Sequence, residues 1–351
     1  MEMDKITRIK KVSSEAMDEA RAHIDRLAKP LGSLGRLEEY AIKLAGIRGY
    51  MGCAIRKSGV LVFAADNGIY EEGFSSVPQS VTAAQAVNIA NGTSGVGVFA
   101  AQSGSEVWVY NVGMKETPAS DAIKDICVRR GTANMTKGSA MTREECEKAF
   151  EEGFNAARKH TDCDILGIGE MGICNTSTSS AVLSVIAGLP VKEVTGRGCG
   201  LTDEQYDRKV EAIRKAISVN NPDKSDVFDV ISKVGGLDIA AMTGAYFGAA
   251  FTSTPVVIDG FISAVAALCA YRLNERIADY MFASHRSAEK GYDAAIKRLH
   301  LKPALDLEMR LGEGSGCPLM FSLLNSSLLM VDNMAKITTA GLSHKDLVDN
   351  R

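Results

Sequence analysis

Short apolar runs recur along the chain, each ending on turn residues and followed by a stretch with helical spacing. The runs are Gly59–Ala65, ending at Asp66-Asn67-Gly68; Glu106–Val112, ending at Gly113; and Asp164–Ile168, ending in a glycine loop. Two more follow: Pro255–Ile258, ending at Asp259-Gly260, and Asp279–Ala283, ending at Ser284-His285-Arg286. Strands alternating with helices predict an α/β fold, a mainly parallel, Rossmann-like sheet flanked by helices on both faces. Such sheets bind ligands at the carboxyl ends of their strands, and all of these run-ends are polar. The chain ends read differently. Ser14–Leu27 is a polar amphipathic helix, Lys29–Arg36 a loop shaped by Pro30, Gly32 and Gly35, and Leu37–Ile47 resumes helical spacing. Residues 1–50 and 315–351 are therefore expected to form a small helical subdomain, with residues 51–314 as the large α/β catalytic domain.

Composition narrows the class. The 351 residues are 46% hydrophobic and 24% charged, with a formal net charge of −3, which excludes a collagen, a coiled coil and a disordered tail. That charge also argues against nucleic acid as a partner, because phosphate backbones select for clustered positive charge. The apolar stretch Thr254–Ala270 is interrupted by Asp259 and Gly260 and is too short to span a bilayer, so no membrane partner is expected. None of the eight cysteines forms a C-x-x-C pair, and the five histidines lie far apart, so no metal site is expected. With no apolar signal core at the N-terminus, the chain reads as a reduced cytoplasmic protein.

Three segments carry candidate chemistry. Gly167–Ser180 (GIGEMGICNTSTSS) follows a strand and precedes the helical run AVLSVIAGL. Its first six residues match G-x-G-x-x-G, and Glu193 stands where a ribose-binding acid would, which is the dehydrogenase reading. Glu170 inside the loop would repel a pyrophosphate, whereas the hydroxyl run suits one phosphate monoester at a helix N-terminus. An N-cap with a polar first turn would carry the same residues. In Thr195–Glu204, Arg197 either holds an anion or braces its loop, Thr202 and Gln205 form a capping arrangement, and Lys209 is either a phosphate partner or a solvated lysine. Leu311–Gly316 isolates Glu313 between glycines; such a carboxylate is an exposed loop residue or, kept from water, a general base.

Together these segments form an ordered set. KPLGSLGRLE, AADNGIYEEGFSSVPQSVT, GIGEMGICNTSTSSA, TGRGCGLTDE, GGLDIAAMTGA, PVVIDGFISAVAAL, ASHRSAEKG and RLGEGSG stand in the order they take in the nicotinate-nucleotide–dimethylbenzimidazole phosphoribosyltransferases, which the chain resembles from about residue 25 to residue 340. The resemblance implies transfer of the phosphoribosyl group of nicotinate mononucleotide to 5,6-dimethylbenzimidazole, with release of nicotinate and inversion at C1′. Relatives that prefer phenolic or purine bases make those acceptors the alternative. By the same resemblance Glu313 is the general base and Glu170 stabilises positive charge near the ribose. Gly172, Asn175, Thr176, Ser177 and Lys209 hold phosphate and ribose, and Ser76, Gln85, Met171 and Leu311 line the base pocket. No cofactor and no metal is implied, and a homodimer is. One departure stands out: many family members have Asp-His-Gly where this chain has Asp66-Asn67-Gly68.

Overall fold

A six-stranded, all-parallel sheet organises the protein, which a computed structural model describes at residues 8–116, 120–341, 343 and 348–351. The strands are β1 (Ser58–Ala65), β2 (Glu106–Gly113), β3 (Ile123–Asp125), β4 (Ile165–Met171), β5 (Val256–Ile258) and β6 (Met281–Ala283), in the spatial order β3-β2-β1-β4-β5-β6. That order reverses direction between β1 and β4, so the crevice above those two strands is the topological switch point where α/β sheets hold ligands. Every residue of β1 is buried, as a central strand covered on both faces requires.

Helices fill the crossovers. Between β1 and β2 lie α3 (Val81–Ala90) and α4 (Gly95–Ser103), and α5 (Arg143–Arg158) leads into β4. The long β4-to-β5 excursion carries α6 (Asn175–Ala187), the single turn α7 (Val191–Val194), α8 (Asp203–Asn220), α9 (Val227–Val234) and α10 (Leu237–Phe251). After β5 come α11 (Phe261–Leu273), then β6, α12 (Tyr292–Arg298) and α13 (Gly316–Asn333). Thr142 at α5 and Thr202 at α8 complete capping boxes with Glu145 and Gln205, the latter as the sequence predicts.

At the chain ends, α1 (Ser14–Ile24) packs on α2 (Arg36–Arg48), and α2 on α13, which also lies against β1, β4 and β5. Residues 1–7, 342 and 344–347 of the segments expected to be helical lie outside the described residues, and after Asn333 the described residues form turns and bridges rather than helix.

Two expectations are corrected here. β3 has no counterpart in the sequence reading, because only Ile123 of its three residues is buried and no apolar run marks it. The G-x-G segment is strand, not loop: β4 runs through Met171 and α6 already begins at Asn175, so Glu170 projects from a strand.

Candidate active site

Four strand ends at the switch point carry buried polar side chains: Asp66 and Asn67 after β1, Glu170 on β4, Asp259 after β5, and Ser284 and His285 after β6. Asp238, in the first turn of α10, is fully buried beside them. The resulting floor is rich in carboxyls and dry, and their protonation reflects it. Burial, then the facing carboxylates of Asp238, Asp259 and Glu313, push Glu170 well above the usual carboxylate range, against the amide of Asn175. Burial raises Asp238 to about 7. It raises Asp259 and Asp66 as well, opposed at Asp259 by His285 and by the backbone N–H groups of Gly316 and Gly314.

Glu313 sits on a turn in which Gly312, Glu313 and Gly314 all have positive φ (87°, 65° and 83°). Two contacts hold this left-handed run in place. The Asp259 carboxylate accepts the N–H of Gly314 (3.0 Å) and of Gly316 (2.7 Å), clamping the turn from beneath. Gly169 of β4 lets the turn rest on the strand, because a Cβ there would lie 2.4 Å from the Gly314 nitrogen. The glycine pattern that resembles a dinucleotide fingerprint thus serves chain packing, and Glu193 is an exposed residue of α7, so the dehydrogenase reading is set aside.

The Glu313 side chain is 4% exposed. Its Oε1 accepts a 2.6 Å hydrogen bond from Gln85 Nε2 on α3, while its buried Oε2 has no hydrogen-bond partner among the described residues. Glu170 faces it from β4, with one carboxylate oxygen against the Cα of Gly312 and the other accepting from Asn175 Nδ2. Met171, Leu311, His285 and Ser287 line the same cavity. Such an arrangement can take a proton from a bound N–H at one carboxylate while a second carboxyl stands opposite it.

A second cavity adjoins it, lined by Gly172–Ser177, Phe74–Val77, Arg197–Cys199 and Lys209. Lys209, 1% exposed, reaches from α8 to donate to Thr176 Oγ1 (2.9 Å) and the Gly196 carbonyl (3.0 Å). Burial lowers its pKa, opposed chiefly by Glu289. Cys174 precedes α6 in a left-handed conformation and supplies no side-chain cap, and the Ser177 hydroxyl is buried without a partner among the described residues. A buried ammonium, two hydroxyls and a helix N-terminus together fit an anion.

The structure sorts the sequence candidates as follows. It brings Gln85, Met171, Leu311, Glu170 and Glu313 into one place, and Gly172, Thr176, Ser177 and Lys209 into the neighbouring one. Asn175 borders both, as do Gly172 and Thr176, and its amide is committed to Glu170. Ser76 lies on the Lys209 side and donates to the Cys199 carbonyl at 3.4 Å, apart from Leu311 and Glu313. Arg197 braces its own loop through the Leu201 carbonyl and Asp203. Arg286 pairs with Asp293 and Asp306 at the surface. Gly235–Ala250, rich in small apolar residues, is buried as α10 against α5, α11 and the sheet. Asp259 was missed as a site residue; its only sequence signal is its place at a strand end. Among the described residues no His, Cys, Asp and Glu cluster suits a metal ion, and all eight cysteines are free thiols.

Comparison with known proteins gives concordant results. A family model described as phosphoribosyltransferase matches residues 9–342. The nicotinate-nucleotide–dimethylbenzimidazole phosphoribosyltransferase of Clostridium perfringens is 44% identical over 343 residues, covering 97% of this chain and 95% of the relative. That of Acetivibrio thermocellus is 43% identical over 328 residues, covering 93% of each. The crystal structure of the Thermus thermophilus enzyme of the same name superposes with a TM-score of 0.88 at 35% identity, over 94% of this chain and 99% of that one.

Proposed function

The chain belongs to the nicotinate-nucleotide–dimethylbenzimidazole phosphoribosyltransferase family, and from that premise we propose how its residues divide the reaction. The enzyme transfers the phosphoribosyl group of nicotinate mononucleotide to 5,6-dimethylbenzimidazole, releasing nicotinate and forming α-ribazole 5′-phosphate. Glu313 takes the ring N–H proton of the base. The other ring nitrogen, its lone pair made more nucleophilic by that proton loss, attacks C1′ from the face opposite nicotinate, the C1′–N bond to the pyridinium breaks, and its electrons neutralise the departing ring. The β-linked substrate thereby becomes an α-linked product. Glu170 faces the positive charge shared between C1′ and the pyridinium. Gly172, Asn175, Thr176, Ser177 and Lys209 hold ribose and phosphate, and Gln85, Met171 and Leu311 border the base, with Ser76 in the neighbouring cavity that Lys209 lines.

The observation that carries this reading is the Glu313 carboxylate: buried, fixed through one oxygen by Gln85, and unpartnered at the other among the described residues, opposite a second carboxyl. Positioning and one base are what this displacement asks of the protein. Incubation with nicotinate mononucleotide and 5,6-dimethylbenzimidazole should yield one α-ribazole 5′-phosphate per nicotinate released, its anomeric configuration read by NMR. A β-linked product, or nicotinate release that ignores the added base, would contradict the reading.

No helix among the described residues is long and apolar enough to cross a membrane. The reading also places the enzyme in the cytoplasm, works it as a homodimer, and treats residues 1–50 with 315–351 as a helical unit beside a 51–314 catalytic domain. A single monomeric species in sedimentation at micromolar concentration would contradict the dimer.

A further inference from the structure

Gly95 opens α4 beneath Leu311, at a helix position where alanine would be the better helix former. Its backbone lies outside the left-handed region, so conformation does not demand glycine there. Space does. A Cβ on Gly95 would lie 2.5 Å from Leu311 Cδ2 and 3.6 Å from Glu313 Oε2, the oxygen without a partner among the described residues. Leu311 is 58% exposed, lines the cavity of Glu170 and Glu313, and fills with its Cδ2 the space that a Cβ on Gly95 would need. The bare Cα therefore leaves room for the Leu311 side chain to rest on the start of α4 beside Glu313.

We infer that Gly95 sets the width of the acceptor-base niche: lacking a side chain, it lets Leu311 retreat onto α4 and so admits an aromatic ring carrying methyl substituents. A methyl group at position 95 drives Leu311 off that helix and over the niche, where it competes with the substituted edge of the ring. An unsubstituted ring loses less. This inference rests on the assignment of the acceptor base to the Glu313 cavity.

The test compares kcat/KM for 5,6-dimethylbenzimidazole with that for unsubstituted benzimidazole in wild type, Gly95→Ala, Leu311→Ala and the double variant. Gly95→Ala should lower the ratio roughly tenfold or more, the discrimination expected when a pocket loses room for methyl groups. KM for nicotinate mononucleotide should stay as in wild type, and the double variant should return to the ratio of Leu311→Ala alone. A folded Gly95→Ala protein with an unchanged ratio, alongside a Leu311→Ala protein whose ratio shifts, would overturn the role of Gly95 and leave the niche assignment standing. If neither single variant shifts the ratio, the niche assignment itself fails. If Gly95→Ala does not fold, recovery of folding in the double variant supports the contact, and failure to recover it overturns the inference.

Discussion

Glu313 and Asp238 are both buried carboxyls of the site floor, yet their surroundings differ. Glu313 is held through one oxygen by the Gln85 amide and Asp238 by the backbone N–H of Ile239 at 2.9 Å, and each leaves its other oxygen without a partner among the described residues. Burial raises Asp238 from 3.8 to about 7, so the folded protein binds a proton there that the unfolded chain has lost. With more protons bound in the native state, this group makes stability fall as pH rises from about 4 to about 7, and the loss is complete above that window. Asp238→Asn removes the dependence. Relative to wild type it should gain on the order of 4 kcal/mol between pH 4 and pH 8, read by chemical denaturation at both. An equal difference at the two pH values would contradict the assignment. Glu170 gives a binding counterpart. Its carboxyl, raised by burial and neighbouring carboxylates, should ionise when a pyridinium arrives, so calorimetry of nicotinate mononucleotide in buffers of different ionisation enthalpy should show proton release. Enthalpies that do not depend on the buffer would contradict this. At this scale the sequence was informative about residue types. Glu313 between glycines and Lys209 behind a capping box could be singled out, but the Gln85–Glu313 bond joins positions 228 residues apart and no local pattern announces it.

The helical elements were legible where amphipathic spacing and caps coincide, as at α8, and strands where apolar runs are continuous, as at β1. β4 was read short because glycines add nothing to an apolar tally, although Gly169 is what allows the Glu313 turn to settle on that strand. Glycine is as decisive in the packing of α10. Its small residues bring its backbone against α5 so closely that a Cβ on Gly153 would lie 1.8 Å from the Ala241 carbonyl oxygen, and one on Gly244 1.9 Å from that of Phe150. Backbone cannot yield as a side-chain tip can. Gly153→Ala should therefore cost about 3 kcal/mol or more by overpacking, measured by urea denaturation, despite alanine's better helix propensity. A variant as stable as wild type would show that the two helices can separate at little cost.

For the whole molecule, alternation of strand and helix was enough to predict the parallel sheet and the edge at which its ligands gather. Strand order was not, because it depends on which crossovers fold to which side, and the central place of β1 beside β4 follows from that order. The order places a carboxyl floor next to an anion cradle, so a substrate with a cationic ring and an anionic phosphate bridges elements far apart in sequence. Nicotinate mononucleotide at a hundred times its Kd should stabilise the fold by about 2.7 kcal/mol, seen as a rise in Tm. Lys209→Met should remove most of that rise, and a full shift in this variant would move the phosphate elsewhere. The central claim concerns proton removal at Glu313, and Glu313→Gln tests it most directly, since the amide keeps the shape and a hydrogen-bonding partner for Gln85 but cannot serve as a base. With nicotinate mononucleotide and 5,6-dimethylbenzimidazole both saturating, turnover by the variant should fall by about 10²–10⁴ while nicotinate mononucleotide still binds. Turnover equal to wild type would contradict the account.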